Sequence, residues 1–206
     1  PKSTLDEVAR ERIANLYLPE KTVRMLPKLV TELLGLGLSE TSPALSFGMK
    51  VAEDGTLEDL IIERTLIKVT RTSYDQVENQ ITEAPFDAIW SVVQRFAQKR
   101  ERSEAVNLKL PEIKVRVKDG EVILKPLPHL KSRELVMNAM LMVGEAAAKF
   151  STEEHISVPF VSQPPPESEM SDERLSTMFA FRKQLKPSQI RSSPSLHAGL
   201  GLESYT

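Results

Sequence analysis

Two tyrosines carry the clearest chemical potential in the chain. Tyr17 heads a rigid Tyr-Leu-Pro-Glu segment, and Tyr74 follows Arg71-Thr72-Ser73 where a strand is expected to hand over to a helix. A ring held on stiff backbone beside a basic residue can stack on an unpaired nucleobase, an interaction of roughly 1–3 kcal/mol per base. The same rings can also fill the rim of a core with their hydroxyls in water, and these two residues alone do not decide between the roles. Other chemistries have less to stand on. His129, His155 and His197 are far apart and lack partners at metal-ligand spacing. The carboxylate pairs Glu153-Glu154, Glu58-Asp59 and Glu167 with Glu169 read as solvated loop or strand-edge charges. Gly199-Leu200-Gly201 lacks the following helix and basic residue of a phosphate loop. Met137, Met140 and Met142 read as core packing on a helix. Spacing and composition alone therefore locate no active site.

The elements that position these residues follow from periodicity. Leu5, Val8, Ala9, Arg12 and Ile13 have helical spacing, Pro19 makes residues 17–20 extended, and Pro27 suits the first turn of a helix. That helix is expected to bury Leu29, Val30, Leu33 and Leu34 and to stop at Gly35 and Gly37 in left-handed conformation. Alternation over residues 45–51, an Asp54-Gly55 turn and a β-branched run over 61–70 predict a hairpin. Phe86, Ile89, Trp90, Val93, Phe96 and Ala97 define one face of a helix ending near Arg102, and Asp119-Gly120 joins the strands of a second hairpin. Ser132 is expected to cap a long helix burying Leu135, Val136, Ala139, Met140, Val143 and Ala147. Residues 156–161 read as a strand and Pro164-Pro165-Pro166 as a connector. Ser171 is expected to cap a helix with Leu175, Met178 and Phe179, and residues 186–206 to be mostly irregular. The expected class is α+β, antiparallel hairpins packed with several helices.

Composition narrows the setting. The 206 residues carry Lys+Arg 27 against Asp+Glu 29, a formal charge of -2, so a polyanion partner requires a locally basic groove rather than net charge. With Cys 0, disulfides, thiolate zinc sites and thiol nucleophiles are excluded, and a reducing, cytoplasmic setting is the expectation. No apolar run approaches a membrane span, so no membrane partner is expected. The chain opens at Pro1 almost directly into an amphipathic helix and closes on Tyr205-Thr206, which reads as a piece cut inside a domain at both ends.

Four segments in order carry a resemblance. They are residues 17–27 (Tyr-Leu-Pro-Glu-Lys-Thr-Val-Arg-Met-Leu-Pro), 71–77 (Arg-Thr-Ser-Tyr-Asp-Gln-Val), 105–112 (Ala-Val-Asn-Leu-Lys-Leu-Pro-Glu) and 197–206 (His-Ala-Gly-Leu-Gly-Leu-Glu-Ser-Tyr-Thr). Together they resemble the ribonuclease II (RNB) catalytic domain across essentially the whole chain. The resemblance implies a hydrolytic exoribonuclease that digests single-stranded RNA from the 3′ end to nucleoside 5′-monophosphates. It also implies Mg²⁺ held by an aspartate cluster, which would activate water and stabilise the leaving oxygen. In that family the aspartates lie upstream of the segment matching Leu5 to Arg12, and a Thr-Ser-Pro-(Ile/Leu)-Arg-Arg-Tyr motif lies downstream of Thr206. Residues 1–206 thus resemble the central and C-proximal portion of the catalytic domain, with no catalytic or metal-ligating residue in the chain.

What carries over is RNA contact. The resemblance gives Tyr17 a place near the 3′-terminal base and Tyr74 a role in sensing ribose, whose 2′-hydroxyl distinguishes RNA from DNA. Leu108 stands where relatives place a base-sandwiching Phe, and Met137 where they often place a carboxylate. Both changes imply a looser clamp on the last nucleotide. His197, Arg71, Lys109, Lys131 and Arg191 complete the expected RNA path. Flanking oligonucleotide-binding domains of the same polypeptide are a further partner that the resemblance leaves open. The alternative is a member of the family that has lost its metal site and only binds RNA or protein.

Overall fold

A computed structural model describes residues 2–168 and 170–206, so the expected pairing of Glu167 with Glu169 falls outside the described residues. The chain forms helices alternating with short paired strands, which bears out the α+β class. It divides into two units, the first residues 1–46, 63–71 and 111–128 and the second 47–62, 72–110 and 129–206.

The first unit contains α1 (Thr4–Arg12), β1 (Leu16–Tyr17), β2 (Thr22–Val23) and α2 (Lys28–Leu34). Ser3 Oγ accepts from the Asp6 N–H at 3.2 Å and so caps α1. β1 and β2 pair antiparallel, Tyr17 opposite Thr22. α2 does not bury the expected stripe: Leu29, Leu33 and Leu34 are all exposed, and the helix has no buried residue. It ends on an extended Gly35, and the left-handed residue is Gly37 alone, at φ +70. Seven residues make only two turns, too few for a Leu pattern to define a buried face without a partner element.

Two ribbons follow in chain order, β3 (Ser42–Val51) paired with β4 (Leu57–Ile67), and later β5 (Glu112–Lys118) paired with β6 (Glu121–Leu127). β4 begins before the Ile-rich run because the turn is tight: Ala52 N–H reaches Thr56 O at 2.9 Å and Gly55 N–H reaches Ala52 O at 3.0 Å. β5 and β6 lie wholly in the first unit and pair antiparallel with Lys118 opposite Glu121 across Asp119-Gly120, as the turn residues predict.

The second unit holds the core. α4 (Phe86–Arg102) buries Val93, Phe96 and Ala97, three of the residues expected, while Ile89 is exposed. α5 (Lys131–Glu153) buries Leu141, Met142 and Ala146, and these gather with Leu57, Val93, Phe96 and Leu202 in one cluster. The buried face is rotated from the expected one: Val136, Met140 and Val143 are exposed, and so is Met137, leaving Met142 as the one core residue of the methionine group. Asn138 and Glu145 are buried instead because they have partners. Asn138 Oδ1 accepts from Arg100 Nη1 at 2.8 Å, and Glu145 Oε1 accepts from Lys99 Nζ at 2.8 Å and Lys149 Nζ at 2.9 Å.

Three boundaries differ from expectation. Leu130 rather than Ser132 precedes α5, and its end is capped from α3 (Tyr74–Asn79), where Glu78 Oε2 accepts the Ser132 N–H at 2.8 Å. Arg174 rather than Ser171 precedes α6 (Leu175–Gln184), which buries Met178 and Phe181 while Phe179 stays exposed. The strand expected over 156–161 is β7 (Phe160–Ser162), and it pairs with β8 (Gln189–Arg191) inside the tail that was expected to be irregular. A short 3₁₀ turn at Ala198–Leu200 follows.

Candidate nucleic-acid contact residues

Tyr17 lies in the first unit and is 80% exposed. Its backbone is nonetheless fixed. Beyond the two-residue strand pair, Leu18 N–H donates to Lys21 O at 3.0 Å and Val117 N–H to Pro19 O at 3.3 Å. A cleft of about 280 Å³ runs beside the ring, lined also by Asn15, Thr22 and Arg24. Asn15 Oδ1 accepts the Met25 N–H at 2.8 Å, and Arg24 O accepts from Arg12 Nη1 at 2.9 Å, so this edge is tied by hydrogen bonds rather than by a core. Arg71, in the same unit, is exposed and packs its aliphatic stem on Gly37, where a Cβ would stand 3.0 Å from Arg71 Cγ.

The other candidates lie in the second unit. Tyr74 is the first residue of α3 and is set there by a capping box: Ser73 Oγ accepts from Gln76 N–H at 3.3 Å, and Gln76 Oε1 accepts from Ser73 N–H at 2.9 Å. The residue is 43% exposed. Leu108 is half-buried in the irregular segment after α4, beside an exposed Lys109 whose Nζ stands 3.4 Å from Glu173. Arg191 Nε donates to Ser162 Oγ at 3.4 Å across the β7–β8 pair. Lys131 opens α5 with Nζ 5.9 Å from the centre of the Trp90 ring.

His197 is different in kind, because it is buried. Its Nδ1 accepts the Leu200 N–H at 3.3 Å, its Nε2 lies 3.4 Å from Ser188 Oγ, and Tyr205 meets the ring edge-on. Burial pushes its pKa below the usual histidine value. This imidazole holds the segment 197–206 together and offers no free nitrogen to a ligand.

That segment is anchored by residues that sequence reasoning missed. Arg100 Nε donates to Leu200 O at 2.7 Å, while burial lowers the pKa of its guanidinium. Thr206 N–H donates to Gly144 O at 3.4 Å, and a Cβ on Gly144 would overlap the Tyr205 ring. Gly144 carried a signal in retrospect: a glycine inside a long helix costs about 1 kcal/mol relative to alanine and asks for a packing reason. Arg100 carried none, since it sits among the basic residues of a helix C-terminus.

Among the described residues, no group of three or more His, Asp or Glu side chains is placed to hold a metal ion. No described helix is long and apolar enough to cross a membrane.

With this geometry in place, the comparisons give the lineage. The RNB domain family profile matches residues 1–200, and the chain belongs to that family. An uncharacterised ribonuclease of Synechocystis sp. is 33% identical, covering 100% of this chain and 33% of the relative. Ribonuclease R of Chlamydia pneumoniae is 27% identical over 92% of this chain and 30% of its own length. The chloroplastic/mitochondrial ribonuclease II of Arabidopsis thaliana is 26% identical over 80% of this chain and 22% of its own. The chain thus spans about a third or less of the length of these relatives. Among solved structures, Mycoplasma genitalium RNase R in complex with ribose-methylated single-stranded RNA shares the fold at TM-score 0.83 and 18% identity, over 100% of this chain and 40% of that one. Yeast Ssd1, a pseudonuclease, shares it at TM-score 0.74 and 14% identity, over 100% of this chain and 31% of that one. A fold common to a nuclease and a pseudonuclease does not by itself set catalytic status.

Proposed function

We propose that residues 1–206 are the RNA-holding, central and C-proximal portion of the catalytic domain of a hydrolytic exoribonuclease. It trims single-stranded RNA from the 3′ end to nucleoside 5′-monophosphates in the cytoplasm. In this reading magnesium and its aspartates, together with the catalytic arginine, belong to other parts of the polypeptide, and the present residues bind and align RNA. The observation that carries the reading is Tyr17, an aromatic residue 80% exposed on a hairpin whose backbone is fixed by strand pairing and by Val117. Exposing an aromatic face on ordered backbone forgoes burial worth about 1.5–3 kcal/mol, which stacking on a base recovers. Tyr74, Arg71, Lys109, Lys131, Arg191 and Leu108 contribute further contacts. His197 enters as the residue that shapes the terminal segment. Flanking oligonucleotide-binding domains would extend the grip along the strand.

The test uses the complete polypeptide with 3′-labelled and 5′-labelled single-stranded RNA, with and without Mg²⁺. Stepwise, metal-dependent 3′ trimming is expected, and Tyr17→Ala should weaken RNA binding about 5- to 150-fold while leaving thermal stability unchanged. Binding without trimming would assign the chain instead to the alternative of a family member that has lost its metal site and only binds RNA or protein. Leu108→Phe with Met137→Glu should raise the RNA-to-DNA rate ratio; an unchanged ratio would remove these two positions from the account of selectivity.

A further inference from the structure

Arg133 is the third residue of α5, and its guanidinium carbon lies 5.0 Å from the centre of the Tyr74 ring. No carboxylate among the described residues comes within 4.0 Å of it. Its Nε is shielded from water and has no hydrogen-bond partner among the described residues. The helix dipole disfavours a cation at this end, so neither an ion pair nor the dipole accounts for an arginine here. Lys131, two residues earlier, likewise lies over a ring, that of Trp90, and has no ion pair within 4.0 Å among the described residues. The two carboxylates at this end are already engaged: Glu78 accepts the Ser132 N–H at 2.8 Å, and Glu134 accepts from Gln94 Nε2 at 3.1 Å.

We propose that Arg133, stacked on Tyr74, is a phosphate contact that grips one backbone linkage of single-stranded RNA beside the ribose facing Tyr74. This rests on the reading of Tyr74 as an RNA contact. A guanidinium held by a ring rather than by hydrogen bonds keeps its planar fork for two parallel bonds to phosphate oxygens, and the stack fixes its orientation before the ligand arrives. Tyr74, a residue 43% exposed, leaves surface for the neighbouring sugar. Lys131 adds a second positive charge on the same helix turn, without the fork geometry.

The experiment measures binding of a fluorescent single-stranded oligoribonucleotide to the complete polypeptide, in chelator and over a series of salt concentrations. Arg133→Ala should bind about tenfold more weakly at low salt. It should also lower the slope of log affinity against log salt by about 0.7, the share of one phosphate on a single strand. Arg133→Lys should keep the slope and lose part of the affinity. A methylphosphonate placed singly at each of the three 3′-terminal linkages tests the wild-type protein without any substitution. At one linkage it should weaken wild-type binding and leave Arg133→Ala binding unaffected. An unchanged slope in Arg133→Ala, or a scan in which no linkage distinguishes the two proteins, overturns the assignment. If RNA binding still responds to Tyr17→Ala in that case, only the Arg133 contact falls. If the wild-type polypeptide binds no RNA, the proposed function falls with it.

Discussion

The two units are stabilised in different ways. Every buried apolar residue among those described belongs to the second unit, from Leu57 and Phe96 to Leu202, whereas the one buried residue of the first unit is Ser42, whose Oγ accepts the Gly37 N–H at 3.0 Å. The second unit is organised by packing, with Phe96 fully buried at its centre. The first is organised by strand pairing, turns and local caps, and leaves Ile13, Leu29, Leu33 and Tyr17 in solvent. Hydrogen bonding can therefore fix a backbone closely enough to present a ring, while most of the free energy of folding comes from the unit that buries carbon.

Phe96→Ala should produce the largest effect, about 3–5 kcal/mol of lost stability, because the site is fully enclosed and cannot collapse onto the cavity. Leu33→Ala, at an exposed position of α2, should stay within about 0.5 kcal/mol. Urea unfolding of both variants in the complete polypeptide checks the ordering. A loss at Leu33 as large as that at Phe96 would break the comparison, since the first unit would then depend on apolar burial after all.

Two glycines sharpen the contrast. Gly201, at φ +65, and Gly120, at φ +82, are both left-handed, so alanine brings each a strain of about 1–2 kcal/mol. At Gly120, in the β5–β6 turn of the first unit, a Cβ meets nothing within 4 Å, and strain is the whole effect. At Gly201 a Cβ would stand 2.7 Å from Arg100 O and 2.9 Å from Ala105 Cβ, adding a collision of roughly 1–3 kcal/mol. Thermal melts of the two alanine variants should differ by that second amount, and equal losses would mean that the 197–206 segment moves away without cost.

The same contrast explains what was legible in the sequence. The face of α4 around Val93, Phe96 and Ala97 was readable because its apolar spacing and its burial coincide, and the β5–β6 turn because Asp119-Gly120 is a local signal. α2 misled because its leucines have helical spacing with nothing in the first unit to cover them. α5 misled for the opposite reason. Its period turned the stripe of Asn138 and Glu145 toward solvent, whereas the structure buries it because those residues find partners in Arg100 and Lys99, 38 and 46 residues away. Of the candidate contacts, Tyr17 and Tyr74 could be named from local motifs, but the burial of His197 and the stacking of Arg133 depend on tertiary neighbours that no local window contains.

Caps give a smaller test. The α1 cap is local, Ser3 to Asp6, while the α5 cap is tertiary, Glu78 to Ser132. Glu78→Ala should cost about 0.5–2 kcal/mol of global stability, whereas Ser3→Ala should only fray α1, seen as faster amide exchange there with no shift in the unfolding midpoint. The Ser132 N–H holds the Glu78 carboxyl below the usual glutamate range. Its contribution is therefore complete above about pH 4.5 and is lost as pH falls through the lower folded value. A midpoint shift from Ser3→Ala equal to that from Glu78→Ala would remove the distinction between local and tertiary capping.

The smallest effect is set by pH and is confined to the second unit, because His129, His155 and His197 all lie there. Burial lowers the pKa of His197 from its ordinary value of 6.5, so the folded chain favours neutral imidazole and the unfolded chain takes up the proton first. The sign follows: the contribution of His197 is complete above about pH 6.5 and declines as pH falls from there toward the lower folded value. The physical event is local, since protonating Nδ1 removes the acceptor for the Leu200 N–H and charges a ring set against Tyr205. Amide exchange at Ala198, Leu200 and Leu202, corrected for the intrinsic pH dependence of exchange, should show opening that grows between pH 7 and pH 5. Exchange in the β1–β2 and β5–β6 pairs of the first unit should stay flat over that range. His197→Asn keeps a short acceptor near the Leu200 N–H but cannot titrate, so it should make the 197–206 segment pH-independent. Persistence of the pH response in His197→Asn would assign the opening to another group and leave the histidine a packing role alone.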